Sequence, residues 1–386
     1  MPPLRTLALL GSALLGSALL GSALLAGCSG RGVPAFGAGG AADSLYLGVA
    51  AARTASGTAF FQGVQLAIDD LNAGRPSGAP PFALRLPPDS QTSQVAVAAA
   101  FRDDPSVVGV VGHTGSAQTM DAAPVYGDVE HGGKRGVVAI TPTATNPAVA
   151  RASEWVFRVC PTDEDGATAL ARFAVDSLRA RRVAIVYRND LFGRGFTRFI
   201  TPQLEARGAK VLERDPYLAG ATTYEAYAER IVRGGADALV IAGGAADAAD
   251  VVRAVRRAGG RPAVLGTDDV AGIGTDLAAA EEFRGVRYSS FFLAERARTG
   301  AAAAFVESFR RRFDQVPNHR AALAYDAATL LGRAALATGG DRRRMRDWLA
   351  GVGRERPAHE GVSGPIAFDE SGGAVGKPVL IGEVRP

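Results

Sequence analysis

The chain has 386 residues, 47% of them hydrophobic and 21% charged, with a formal net charge of +4. This composition is that of a globular protein. Basic residues are interspersed with acids, and the runs Arg310–Arg312 and Arg342–Arg344 fit solvated faces of amphipathic helices, so a nucleic-acid partner is not expected. The length after residue 43 exceeds what one hydrophobic core usually serves, which predicts two lobes.

The N-terminus carries a short cationic start, an apolar run over 7–25 and then Leu25-Ala26-Gly27-Cys28. Small residues before a cysteine, after such a run, are typical of a bacterial lipoprotein signal. We therefore predict a signal peptide over 1–27, a lipid on Cys28 and a flexible tether over 28–43. A transmembrane helix is the alternative, disfavoured because the run is rich in Gly and Ser and no cationic stop follows it. The mature protein is expected outside the cytoplasmic membrane, anchored to it by lipid.

Strand-like apolar runs alternate with helical patterns along the rest of the chain. Strands are predicted at 45–50, 82–86, 107–111, 137–140, 183–187, 209–212, 238–241 and 263–265. Helices are predicted at 60–71, 167–178, 196–204, 224–232, 246–258, 301–313 and 320–338. Such alternation predicts an α/β fold with parallel sheets and right-handed crossovers.

The order of the predicted strands and helices also predicts where one lobe ends and the other begins. A new strand–helix series begins after Pro161, and it ends in an apolar strand near 288–292. Two long helices follow, and then two short strand candidates at 365–368 and 378–382. We expect one lobe over 44–160 plus 291–363, a second over 161–290 plus 364–386, and hinges near 160, 290 and 363.

Motifs for catalysis, nucleotide binding or metal binding are missing from the sequence. Its four histidines do not pair with carboxylates or cysteines at metal-ligand spacing. His113 precedes Ser116 closely, but no third residue is implied that would orient such a pair for nucleophilic catalysis. Cys160 has no disulfide partner and fits a buried, inert thiol. No catalytic residue, metal or organic cofactor is therefore predicted.

Small polar residues follow three of the predicted strands. Ser116 comes shortly after the strand at 107–111, Thr143 and Thr145 after the strand at 137–140, and Asp268 and Asp269 after the strand at 263–265. Hydroxyls and free backbone N–H groups suit a carboxylate, whereas an aspartate suits an ammonium group. Together they predict a site for a zwitterion. Taken singly, each residue is also compatible with a capping or turn role.

Several segments in order resemble a known family. They include Phe61-Gln-Gly-Val-Gln-Leu-Ala-Ile-Asp-Asp-Leu-Asn72, Asp104-Pro-Ser-Val-Val-Gly-Val-Val-Gly112, Ile140-Thr-Pro-Thr-Ala-Thr-Asn-Pro147, Phe157-Arg-Val-Cys-Pro-Thr-Asp163, Val183-Ala-Ile-Val-Tyr187, Phe192-Gly-Arg-Gly195 and Gly364-Pro-Ile-Ala-Phe-Asp369. From about Leu45 onward the chain resembles type I periplasmic binding proteins, and more closely the branched-chain-amino-acid binding proteins of ABC importers. The resemblance implies an α/β fold with two Rossmann-like lobes, joined by three crossings.

Family roles carry over to individual positions. Ser116 and Thr145 match hydroxyls that bind the ligand carboxylate, helped by the backbone of Ala117 and Thr143. Asp268 matches the acid that binds the α-amino group, with Asp269 beside it as an alternative. Three positions depart from the tyrosines frequent in relatives: Ser56, Ala245 and Phe192, which keeps the ring and loses the hydroxyl. Ser56 and Ala245 leave room in the side-chain pocket, so an amino-acid-like ligand is expected whereas leucine itself stays open. The family's disulfide in the first lobe is also missing, which does not alter the expected fold.

The resemblance implies a monomeric, non-enzymatic solute-binding lipoprotein. It would bind a small amino-acid-like ligand between its lobes and deliver it to an ABC permease in the membrane. Three alternatives stay open at this point: a ligand-sensing receptor of the same fold coupled to a signalling partner, an exported α/β hydrolase, and an interaction module that has lost its ligand.

Overall fold

The computed structural model describes residues 44–52, 55–88, 93–273, 283–298 and 300–384, without the side chains of residues 55 and 56. The predicted signal peptide, tether and lipidated Cys28 lie outside the described residues, and so does the side chain of Ser56. Within the described ranges, no helix is both long and apolar enough to cross a membrane.

Five parallel strands form the first sheet, in the order β2-β1-β3-β4-β5. They are rich in Val, Ile and Leu, and three of them are buried along their whole length, as expected for a parallel sheet covered by helices on both faces. Their bounds are β1 Leu45–Ala50, β2 Phe82–Arg85, β3 Val107–Gly112, β4 Val138–Thr141 and β5 Val156–Arg158.

Six helices among the described residues accompany the first sheet. Their bounds are α1 Ala55–Gly74, α2 Gln94–Asp103, α3 Ser116–Tyr126, α8 Gly300–Phe313, α9 His319–Thr338 and α10 Arg342–Ala350. Helices α1 and α9 pack closely because Gly63 has no side chain: a Cβ there would lie 2.2 Å from the carbonyl oxygen of Ala321. The main core lies between the β1–β3–β4 strands and α9, where Leu323, Leu330 and Leu331 are fully buried.

The second sheet has six strands in the order β13-β10-β9-β8-β6-β7, parallel except for the antiparallel edge strand β13. Its strands are β6 Arg182–Arg188, β7 Lys210–Tyr217, β8 Ala238–Ala242, β9 Ala263–Gly266, β10 Arg287–Ser290 and β13 Leu380–Glu383. Its helices are α4 Asp163–Arg172, which continues as a π-helix over 173–177, α5 Leu191–Ala206, α6 Glu225–Arg233 and α7 Ala245–Arg257. A small antiparallel pair, β11 His359–Gly361 and β12 Gly364–Ile366, forms a third sheet.

Every strand predicted before residue 270 is present, within one or two residues except for β7, which runs to Tyr217. The predicted helices are present as well, α1 extending five residues further toward the N-terminus. Helix α2 and strand β11 were not predicted. The α/β fold with parallel sheets is thus confirmed, while the lobe boundaries and hinge positions remain predictions.

One surface assignment was wrong. Arg342 was expected on a solvated helix face, but its guanidinium donates hydrogen bonds to the backbone carbonyls of Arg102 (2.7 Å) and Val107 (2.9 Å), among others. Burial lowers its pKa to about 10. Arg342 therefore binds the backbone carbonyls that precede and begin β3, because the five donors of its planar guanidinium can satisfy several carbonyls at once.

Candidate functional site

Two loops at the carboxyl end of the first sheet form one side of a cleft, here called the first wall (residues 113–117 and 143–146). Hydrogen bonds join these loops to each other. The hydroxyl of Thr143 donates to the carbonyl of Thr114 (2.7 Å), and the backbone N–H of Asn146 donates to the hydroxyl of Ser116 (3.3 Å). The hydroxyl of Thr141 also donates to the carbonyl of His113 (2.6 Å). The first wall is therefore held in place by neutral hydrogen bonds.

The side chain of His113, the first residue of this wall, is buried and supports it. Its Nδ1 lies 2.6 Å from Oε1 of Gln94, and its Nε2 lies 2.8 Å from the hydroxyl of Tyr126. An amide oxygen accepts only, so Nδ1 carries the proton and Nε2 accepts from Tyr126. Burial lowers the pKa of His113 to about 4, which fits this neutral form. Both ring nitrogens are thus engaged away from Ser116, and the structure does not assemble a Ser–His catalytic pair.

Charged residues form the opposite side of the cleft, here called the second wall (Arg188, Asp190, 244–247, Asp268 and Asp269). They follow the carboxyl ends of β6, β8 and β9, which lie side by side in the second sheet. Asp190 caps α5 by accepting from the N–H of Gly193 (2.8 Å). Ligands in open α/β sheets bind beyond the carboxyl ends of the strands, so both walls are where a ligand is expected.

Asp268 and Asp269 have different surroundings although they are adjacent. Asp269 accepts a hydrogen bond from Nη2 of Arg320 (2.8 Å), and Nη2 of Arg188 lies 3.6 Å from its other oxygen. Asp268 is 5% exposed, and no side chain among the described residues donates a hydrogen bond to it. Burial, together with the Asp269 carboxylate, holds the pKa of Asp268 well above its usual value. Asp269 is therefore paired with two guanidinium groups. Asp268 forms no ion pair with a described side chain, and Arg320 lowers its pKa only in part.

A further buried acid was missed by the sequence analysis. Asp163 is 2% exposed, and neither of its carboxylate oxygens has a hydrogen-bond partner among the described residues. Burial raises its pKa to about 7, and the nearby Thr145 hydroxyl, outside hydrogen-bonding geometry, and Arg158 lower it only in part. Asp163 lies in the first turn of α4, where acidic residues are common. The local sequence therefore does not distinguish it from an ordinary acid at a helix N-terminus.

A cavity of about 670 Å³ lies between the two walls. Volumes of this order hold small-molecule ligands. Seven of the eight predicted ligand-binding residues line it: Ser116, Ala117, Thr143, Thr145, Phe192, Ala245 and Asp268. The eighth, Ser56, has no described side chain, but its neighbour Gly57 lines the cavity. Arg188, Asp190, Asp247, Gln118 and Arg320 also line it and were not predicted.

The capping interpretations hold for some of these residues and fail for others. Gly115, rather than Ser116, is the N-cap of α3, and the Ser116 hydroxyl accepts from the other loop instead. Asn146 does cap locally, because its Oδ1 accepts from the N–H of Ala148 (3.0 Å). Cys160 is buried and its pKa is raised by burial to about 12, as expected of an inert thiol. Within the described residues, no group of three or more potential metal ligands comes together.

Two mainly parallel sheets whose polar carboxyl-end loops enclose a cavity of ligand size define a ligand-binding protein of the α/β class. The sequence profile of the periplasmic binding protein family matches residues 47–386, and the chain belongs to this family. Its relatives are named as binding proteins rather than enzymes.

Two curated relatives are similar to part of the chain. The amino acid binding protein of Pseudomonas aeruginosa is 29% identical over 222 residues, which are 56% of this chain and 58% of the relative. The Leu/Ile/Val-binding protein of Citrobacter freundii is 28% identical over 229 residues, 58% of this chain and 60% of the relative. The chain thus spans about three-fifths of the length of these relatives. Among solved structures, a leucine binding protein from Thermotoga maritima has a TM-score of 0.76 at 25% identity, covering 88% of this chain and 95% of that one.

Proposed function

We propose that this protein is the substrate-binding lipoprotein of an ABC importer, and that it binds an α-amino acid or a close analogue in the cleft. The lipid on Cys28 would anchor it outside the cytoplasmic membrane, near the permease to which it delivers the ligand. The names of its relatives support an amino-acid ligand. No catalytic step is assigned to it.

The observation that carries this proposal is the contrast between the two walls at the cavity. Ser116 and Thr145 present hydroxyls and Thr143 its backbone on one side, since the Thr143 hydroxyl already donates to Thr114. Asp268 on the other side is buried, with no donating side chain among the described residues. A ligand carboxylate satisfies the first group and a ligand ammonium satisfies Asp268, since a buried carboxylate is costly unless it is paired. A zwitterion therefore complements both walls at once.

Binding would act by hinge closure between the proposed lobes, 44–160 plus 291–363 and 161–290 plus 364–386. A ligand that contacts both walls favours the closed arrangement by its differential affinity for that state. Lipid anchoring at Cys28 would raise the effective concentration of the protein at its permease.

Thermal unfolding of the purified full-length protein in detergent tests the proposal. The protein is first shown to be free of carried-over ligand by mass spectrometry of its denatured supernatant. A ligand that binds only the folded state raises the unfolding midpoint by mass action. We expect a rise with at least one α-amino acid and none with the same compound lacking its amino group. A panel of α-amino acids that produces no rise would overturn the proposed function.

A further inference from the structure

Gly244 leaves an opening in the second wall. It is the N-cap of α7, with φ −72° and ψ 158°, a conformation available to any residue. A Cβ at this position would meet only two atoms within 4 Å, Nη1 of Arg188 at 3.5 Å and Oδ2 of Asp247 at 3.7 Å. The backbone does not require glycine here, so what the missing side chain provides is space between a donor and an acceptor.

The donor beside this opening belongs to a guanidinium whose other nitrogens are engaged. Nε of Arg188 donates to Asp190 (2.5 Å), and its Nη2 lies 3.6 Å from Asp269. Nη1, the nitrogen that borders the opening, has no acceptor among the described residues. Arg188 is therefore balanced in charge by two carboxylates, but its Nη1 amino group beside the cavity has no acceptor among the described residues.

The acceptor beside the opening is a carboxylate with one engaged oxygen. Oδ1 of Asp247 accepts from the hydroxyl of Tyr224 (3.0 Å), while Oδ2 has no donor among the described residues. Asp247 and Arg188 do not form an ion pair with each other, although both line the cavity. The two groups thus flank a gap with one hydrogen-bond donor on one side and one acceptor on the other.

We infer that the ligand's side chain ends in a primary carboxamide that occupies the gap between Arg188 and Asp247, its oxygen accepting from Nη1 and its NH₂ donating to Oδ2. This inference rests on the proposed function, because it concerns the same cavity. A carboxylate there would face Asp247, and an ammonium group would face Arg188. An apolar end would leave both groups unpaired, which costs binding free energy. A neutral group with both a donor and an acceptor satisfies the pair, and a carboxamide carries the two on separate atoms that can face Arg188 and Asp247 at once.

Isothermal titration calorimetry on the ligand-free, full-length protein in detergent tests the inference with matched amino acids. L-glutamine and L-asparagine are compared with L-glutamate and L-aspartate, which differ from them by one group, and with L-leucine and L-lysine. We expect one of the amides to bind at least tenfold more tightly than its acid and than leucine, the size expected for hydrogen bonds to charged groups. Leucine or glutamate binding as tightly as the better amide would overturn the inference while leaving the proposed function intact. Failure of every amino acid to bind would overturn both.

The variant Asp247→Asn locates the amide. It keeps a partner for Tyr224 but removes the charge that rejects an acid, so the preference for an amide over its acid should fall at least tenfold. Asp250→Asn is the control. Asp250 lies on the exposed face of the same helix, where it pairs with Arg253, so its replacement should leave the preference for the amide unchanged. Gly244→Ala fills the gap at ordinary contact distances and should weaken binding of the amide at least tenfold. Unchanged preference in Asp247→Asn, with unfolding midpoints like the wild type, would place the side chain of the ligand elsewhere.

Discussion

The two walls of the cleft are built by different means. The first wall consists of neutral groups that already bond to one another, as Thr143 does to Thr114 and Ser116 to the N–H of Asn146. The second wall consists of charged groups, of which Asp269 is paired and Asp268 is not. The comparison teaches that the first wall is preorganised without ligand, whereas the second wall needs the ligand's charge to complete it.

This contrast has a consequence for where affinity comes from. A preorganised hydroxyl that donates to the ligand carboxylate gains about 1.5 kcal/mol, the lower end of the range for a hydrogen bond to a charged group. A buried carboxylate that acquires a cation gains more, because the charge-assisted bond also removes the penalty of an unpaired charge. We therefore expect the second wall to dominate affinity, and the predictions below test that expectation from the largest effect to the smallest.

The largest effect is expected for Asp268→Asn. The change keeps the shape of the side chain and removes the charge that we assign to the ligand ammonium, so affinity should fall by about 2–5 kcal/mol. Calorimetric titration with the tightest-binding amino acid measures the loss. Asp250→Asn, on the exposed face of α7, is the control. Equal affinity in Asp268→Asn and the wild type would show that Asp268 does not hold the amine.

Asp163 should make stability fall as pH rises. Its folded-state pKa is raised by burial to about 7, so between about pH 4 and 7 the folded protein holds a proton that the unfolded chain releases. Stability is thus lost over this range as the pH increases. Asp163→Asn, which cannot ionise, should be more stable than the wild type above about pH 7, by up to about 4 kcal/mol.

Urea unfolding of the ligand-free protein at about pH 5 and about pH 8 measures this effect. Asp165→Asn is unsuitable as a control, because Asp165 completes the capping box of the same helix with Thr162. Asp176, which is exposed and pairs with Arg207, provides a control in Asp176→Asn. If the free energy of unfolding differed equally between Asp163→Asn and the wild type at both pH values, ionisation of Asp163 would not be the cause.

His113, in the first wall, should act in the opposite direction. Burial lowers its pKa to about 4, so the unfolded chain takes up a proton at higher pH than the folded protein does. Its contribution to stability is complete above about pH 6.5 and is lost as the pH falls toward 4. His113→Gln should reduce the loss of stability between about pH 7 and 4.5, measured by urea unfolding.

Two other buried histidines contribute to the pH dependence of wild-type stability, since burial also lowers the pKa of His319 to about 3 and of His359 to about 4. His113→Gln should therefore remove only part of the acid sensitivity. Calorimetric titration with an amino acid near neutral pH shows whether His113→Gln also distorts the ligand site. A variant that distorts the loop at Ser116 would lose affinity, whereas one that changes only the pH dependence of stability would not. No change in the pH dependence would mean that His113 is solvated or charged in the folded protein.

Much of the fold follows from local sequence. Runs such as Val107–Gly112 and Ala238–Ala242 are apolar and β-branched, and they formed buried strands where predicted. Helix α2 was missed because Ala and Val dominate it and its apolar face is short. Strand β11 was missed because its sequence, His359-Glu-Gly361, has no apolar alternation and its pairing with β12 supplies the structure.

The site was only partly predictable for a physical reason. Ser116, Thr145 and Asp268 follow apolar strands directly, so their place at the carboxyl ends of the sheets was readable from sequence. Arg188 is the last residue of β6 and could have been included by the same rule. Arg320 could not, because it reaches Asp269 from the first turn of α9, 51 residues further along the chain. Charge balance between such distant groups depends on tertiary packing, which local patterns do not encode.

The smallest effect is expected for Thr145→Val in the first wall. The change replaces the hydroxyl with a methyl group of similar size, so it removes one hydrogen bond to the ligand carboxylate and leaves the packing nearly intact. Because the acceptor is charged, affinity should fall by about 1.5 kcal/mol, or roughly tenfold. Thr201→Val removes a hydroxyl that bonds within α5 to the carbonyl of Thr197, and it should leave affinity unchanged. A loss for Thr145→Val as large as that for Asp268→Asn would reverse the comparison of the two walls, because it would place the main source of affinity on the preorganised side.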